Sequence, residues 1–226
     1  MADYANNHSR KGYGDFNLLY MYIREKTMDT NDLSFFNACP SVIGRDATGT
    51  ADFPDAASLV AHLDCLGIER SLVCHRSAID INPTYGNLRL MDEIKPYGDR
   101  LVPTFVVSPH LMFEQEGLDT LKRALCENGV RSLRAFPRSM PMGAFKPIML
   151  ERLLLEIRQF KPVLFMGAGE ADPADLVALS ERFPDLRFVV TEFMWGVLPG
   201  VLDMLWRLTA RLMKNLDPLP FILSQY

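Results

Sequence analysis

From Ser34 onward the chain keeps one rhythm: short apolar runs bounded by turn residues alternate with longer stretches of helical periodicity. SFFNAC at Ser34–Cys39 precedes Asp55–Leu66, where Leu59, Val60, Leu63 and Leu66 share one helical face. Ser71–His75 leads to Gly86–Tyr97, Leu101–Val107 to Leu118–Asn128, and Val130–Phe136 to Met149–Phe160. Pro162–Met166 leads to Asp172–Phe183, with Asp172 as N-cap and Pro173 at the first helical position. Arg187–Phe193 leads to Leu198–Leu212, and Leu219–Leu223 closes the series. Gly129 suits the end of the helix before it. The strands are continuously apolar, as expected where helices cover a parallel sheet.

This alternation predicts an α/β fold of the TIM-barrel type, (β/α)8-like but incomplete at about seven strands, over residues 34–226. A full barrel takes eight units and about 250 residues, more than the 226 present. The reading is therefore an open barrel, or one shortened relative to its relatives. Residues 1–33 lack the pattern and are expected to form an N-terminal extension. No repeat, low-complexity segment or linker divides the rest.

A formal charge of −4 argues against nucleic acid, which needs clustered positive surface. No run reaches the ~18 apolar residues of a membrane helix, and the polar N-terminus has no signal core. The expectation is a cytoplasmic protein whose partner is a small molecule. The four cysteines, Cys39, Cys65, Cys74 and Cys126, form no CxxC pair, so neither a zinc ribbon nor a dithiol redox motif is expected. Cys65 and Cys126 read as small buried hydrophobes.

In parallel barrels ligands sit at the C-terminal ends of the strands. That rule selects Asn37 and Cys39, Cys74 and His75, Ser108 and His110, Arg134, Met166, Thr191 and Glu192. His75 is a candidate for proton transfer at the barrel mouth, or a histidine bonded to a neighbouring carbonyl. Glu192 follows the apolar run RFVVT; it is a base, a metal ligand, or the ion-pair partner of Arg134. Arg134 itself could clamp a substrate carboxylate. Asn37 and Cys39 project to one side of an extended strand, and Trp195 could line a pocket. A zinc set of Cys39, His75 and Glu192 is chemically conceivable, though its spacing carries no signature. GAGEADP at Gly167–Pro173 lacks a phosphate-loop pattern, and Glu170 and Asp172 would repel phosphate.

The ordered segments LVAHLDCLGIERSLVCH, NPTYGNLRLMDEIKPYGDRLVPTFVVSP, VRSLRAFP and LSERFPDLRFVVTEFMWG resemble the amidohydrolase-related proteins, the amidohydrolase 2 branch of the metal-dependent hydrolase superfamily. The resemblance implies a divalent metal such as zinc, held by a histidine pair on strand one and one histidine each on strands five and six, with an aspartate on strand eight. Here Asn37-Ala38-Cys39 stands at the pair, Met166 at strand five and Glu192 at strand six, and the strand-eight aspartate position would lie beyond Tyr226. The function implied is a hydrolase of a small carbonyl or carboxylate compound, with decarboxylase chemistry also found in the family. His75 and Glu192 would be catalytic; Asn37, Cys39, Arg134 and Trp195 would bind substrate. The alternative is a metal-free barrel, a pseudoenzyme that binds a ligand or partner without catalysis. Exposed strand edges make a homo-oligomer an expectation in either case.

Overall fold

The computed structural model of the chain describes residues 34–141 and 143–191. In order these form β1 (Phe35–Ile43), α1 (Ala56–Leu66), β2 (Ile68–His75), α2 (Arg76–Asp80), α3 (Pro83–Ile94), β3 (Leu101–Val106), α4 (Gly117–Cys126), β4 (Ser132–Ala135), α5 (Glu151–Ile157), β5 (Val163–Gly167), α6 (Pro173–Arg182) and β6 (Arg187–Thr191). The six strands lie side by side in chain order and curl into a half-barrel of the TIM type, as expected. The helix expected at Leu198–Leu212, the strand at Leu219–Leu223 and the extension of residues 1–33 lie outside the described residues. No helix among the described residues is long and apolar enough to cross a membrane.

Local chemistry sets the helix ends. Asp55 starts α1 with a capping box: its carboxylate accepts the Ser58 N–H at 2.8 Å, and the Ser58 hydroxyl accepts the Asp55 N–H. Gly67, at φ 67°, ends that helix in the left-handed region. The third helix begins at Pro83, not at Gly86 as the periodicity suggests, because the Asn82 side chain caps Tyr85 and proline suits the first turn. The five-residue α2 is too short to show a period, so no periodicity marks it in the sequence. α6 starts after Asp172 as expected, but the Asp172 carboxylate pairs with Arg138 and makes no cap bond. Cys65 and Cys126 correct the expectation of burial: both are exposed, and Cys74 is the buried thiol.

Register decides which side chains share a face. Thr104 lies opposite Ser132, Val106 opposite Arg134, and Arg134 opposite Phe165. The alternate positions Phe105, Leu133 and Leu164 form another row, continued on β2 by Val73, which pairs with Pro103. That second row runs on along β2 to His75, 3.2 Å from Glu93 of α3, so it faces the helices. It shares the main apolar core with Leu59, Leu63, Leu90, Leu121, Leu125, Leu153 and Leu154, and Val106 of the first row belongs to that core too. The first row faces the hollow of the half-barrel. Two neighbours in it, Thr104 and Ser132, share a hydroxyl–hydroxyl bond of 2.8 Å.

Candidate active site at the strand ends

Arg134 is 3% exposed, and its Nη1 donates to the Pro40 carbonyl at 2.7 Å. β2 and β3 lie between their strands in the sheet. The side chain therefore crosses the concave face, a path open only because the sheet curls. Its guanidinium carbon sits 4.7 Å from the centroid of the Phe136 ring, a cation–π contact that also fixes the plane of the fork.

His75 lies on the other side of the sheet. It is two residues beyond Val73 on β2 and 1% exposed. Its Nδ1 accepts the Ser77 N–H at 3.0 Å, capping α2. That bond leaves the ring proton on Nε2, 3.2 Å from Glu93 Oε2 on α3 but off the line of an aligned hydrogen bond. Glu93 Oε1 accepts the Ala56 N–H at 3.0 Å, at the first turn of α1. Gly44 closes over the ring at φ +96°, where a Cβ would lie 2.9 Å from His75 Cε1. Burial pushes the imidazole pKa below its usual 6.5, with Glu93 opposing that shift in part and Arg89 reinforcing it. The histidine expected at the barrel mouth is thus placed between sheet and helices, and the structure does not bring it together with Arg134.

Asn37 is engaged locally. Its Oδ1 accepts the Cys39 N–H at 3.2 Å, and its Nδ2 donates to Ser41 Oγ at 3.2 Å and Ser71 Oγ at 3.0 Å. Four residues of extended strand span ~13 Å, so a bond from Asn37 to Ser41 requires the chain to fold back locally. The first strand is bent there, and Asn37 and Cys39 are both half-buried, with Phe36 before and Ala38 between them exposed. Met166 is 1% exposed and lies opposite Ala135 in the helix-facing row. Glu192 and Trp195 lie outside the described residues.

Among the described residues no three His, Cys, Asp or Glu side chains come together to hold a metal. His75 offers no spare lone pair, since one nitrogen accepts a backbone N–H and the other carries the proton. The described residues therefore do not fit the metal centre that the resemblance implies.

Three features escaped the sequence reading. Asn87 on α3 is 3% exposed and pairs with the backbone of Val106 twice, donating to its carbonyl and accepting its N–H, both at 2.8 Å. A polar residue on the buried side of an amphipathic helix was the available signal. Glu170 accepts the N–H groups of Arg138 and Ser139 and the Ser139 hydroxyl; it joins the loops after β4 and β5. Glu114 likewise accepts from Asn82 and Thr84, joining the loop after β3 to the start of α3.

No family model and no curated protein matches the chain by sequence. Solved structures do match it by fold. The 2,6-dihydroxybenzoate decarboxylase of Rhizobium is 13% identical, with a TM-score of 0.57 over 82% of this chain and 73% of that one. The 5-carboxyvanillate decarboxylase of Novosphingobium aromaticivorans, solved with bound manganese, is 13% identical, with a TM-score of 0.56 over 81% and 72% of the two chains. A TIM-barrel protein of Bordetella bronchiseptica is 16% identical, with a TM-score of 0.50 over 70% and 57%. At these identities the likeness is one of fold.

Proposed function

We propose that the chain is an amidohydrolase-like enzyme acting on a small carbonyl or carboxylate compound bound at the strand ends, with Arg134 orienting its anionic group. The observation that carries this reading is the buried Arg134 guanidinium on the concave face, held by Pro40 and Phe136. A guanidinium on this face presents a planar fork of donors that matches a carboxylate. The names of the two decarboxylases of like fold, which specify aromatic carboxylates, support an acid as substrate and decarboxylation beside hydrolysis as the reaction class. In this reading His75 acts as a positioning residue, since its contacts run to Ser77, Glu93 and Gly44. Glu192 keeps the proton-transfer role and Trp195 the lining role that the sequence suggests. Asn37 and Cys39 shape the bend of β1 beside the Pro40 carbonyl.

The experiment is a turnover screen of the full chain against hydroxybenzoates, β-keto acids, lactones and amides, following CO2 release and hydrolysis. The expected result is turnover of at least one carboxylate, with kcat/KM falling roughly 100-fold in Arg134→Gln, the scale of a lost charge-assisted pair. Binding of carboxylates without turnover would instead establish the non-catalytic binder. That second reading is supported by Asn37, Cys39 and Met166, which stand where the resemblance implies histidines.

A further inference from the structure

Arg76 follows β2 directly, at the end of the strand where parallel barrels bind their ligands. The residue is half-buried and its Nε is buried, yet the side chain makes no hydrogen bond or ion pair among the described residues. The acids around it are engaged elsewhere. On the loop after β1, Asp46 Oδ1 accepts the N–H groups of Thr48 and Thr50 at 2.9 Å and the Thr48 hydroxyl at 2.6 Å. Those bonds hold its carboxyl below the usual 3.8, the Thr48 hydroxyl first, and the charge of Arg76 contributes least. Glu93 answers His75 and the Ala56 N–H. The base of the Arg76 side chain is fixed, since Gly44 passes so close that a Cβ there would lie 3.3 Å from Arg76 Cβ. Arg89 brings a second guanidinium to the next residue, with its Nη1 3.5 Å from Ser77 Oγ. Buried donors in proteins are nearly always paired. A buried Nε–H left open beside a second cation suits an anion.

We infer that Arg76 is a carboxylate-binding residue at the rim between β1 and β2, receiving the two oxygens of its ligand side-on through Nε–H and one Nη–H. The site goes beyond the functional reading, since an enzyme and a non-catalytic binder would use it alike, and it does not involve Arg134. That edge of a guanidinium carries two parallel donors spaced for a carboxylate, and both bonds are charge-assisted. A half-buried setting screens the pair less than open water does, while the partial exposure of the residue leaves a ligand a way in. Arg89 adds attraction at longer range, which salt weakens. Binding is non-covalent and consumes no co-reactant.

The test uses the full chain, with benzoate as probe and inorganic phosphate as competitor. Titration calorimetry reads affinity, and nitrogen–proton NMR of the arginine Nε–H groups reads the donor itself. The Arg76 signal is assigned by its absence from Arg76→Lys. The expected result is a benzoate-dependent shift of that signal and an affinity about 10-fold or more lower in Arg76→Gln. Arg76→Lys should fall between the two, because it keeps the charge and loses the fork. Circular dichroism should show both variants folded; if Arg76→Gln does not fold, the wild-type Nε–H shift and the lysine variant decide. Equal affinity in the variants and wild type, or no benzoate binding, would overturn the site. An Nε–H signal that benzoate leaves unmoved would assign the donor to a buried water, and phosphate binding as tightly as benzoate would mean an unselective anion contact; either result also overturns it. The outcomes separate from those of the functional reading. Arg76-dependent binding without turnover removes the enzyme and leaves the site, whereas carboxylate turnover untouched by Arg76→Gln removes the site and leaves the enzyme.

Discussion

One carboxylate, that of Glu93, stands 3.2 Å from His75 Nε2 and also accepts the Ala56 N–H at 3.0 Å, so α3 ties the end of β2 to the first turn of α1. The arrangement suits a neutral imidazole, whose Nδ1 accepts from Ser77 and whose pKa burial holds below 6.5. An unfolded chain takes up the His75 proton first as pH falls below 6.5. The unfolded state then binds more protons, and stability falls with pH until the lowered folded pKa is passed. The urea midpoint should therefore be higher at pH 7.5 than at pH 5.5, and His75→Gln should flatten that slope. An unchanged slope in the variant would assign the effect to other groups.

Asn87 replaces a strand neighbour for Val106 by offering both an acceptor and a donor from a helix. Replacing it with alanine leaves a buried N–H and a buried carbonyl unanswered, at about 1–3 kcal/mol each. Denaturant titration of Asn87→Ala should show a loss of about 2–4 kcal/mol. Asn87→Asp should not rescue it, because the carboxylate accepts from the N–H but meets the carbonyl as a second acceptor. A loss under 0.5 kcal/mol in the alanine variant would mean that water fills the gap.

Gly86 lies where α3 crosses α2, and a Cβ there would fall 2.0 Å from the Ala78 nitrogen and 2.3 Å from its Cα. The clash is with backbone, which cannot swing aside as a side chain can. Gly86→Ala should cost about 2 kcal/mol or more, although alanine is the better helix former by about 1 kcal/mol. A neutral or stabilised variant in thermal melts would show that the two helices part easily.

The thiols separate by exposure. Cys65 and Cys126 should react rapidly with a chromogenic disulfide in the native protein, whereas Cys74, at 0% exposure, should react only on unfolding. Mass mapping of the labelled peptides reads this directly. Fast labelling of Cys74 would place β2 in a segment that opens without global unfolding.

The fold was legible because its signal is one-dimensional. Val73, Phe105, Leu133 and Leu164 sit in continuous apolar runs, and Leu59 and Leu63 repeat at helical spacing. The site was less so, because strand-end position does not say which side of the sheet a residue faces. His75 and Arg134 both end strands, yet the pairing of Val106 with Arg134 and of Val73 with Pro103 sends them to opposite sides. Register is a relation between strands that no single run encodes. Asn37 shows a second limit: its side chain is taken up by Ser41 and Ser71, contacts that a place on a strand does not name. Cys65 and Cys126 show a third, since helical periodicity names a face only approximately for residues at its margin.

The Arg134–Pro40 bond closes a span of 94 residues, and that span has a temporal meaning. During synthesis the bent first strand leaves the ribosome roughly 5–20 s before the arginine that will hold it, at ordinary elongation rates. Until then β1 can be secured only by nearer partners such as Ser71. Among the described residues this tie on the first strand is one of the most non-local in the sheet, and its loop-closure entropy must be met before it contributes.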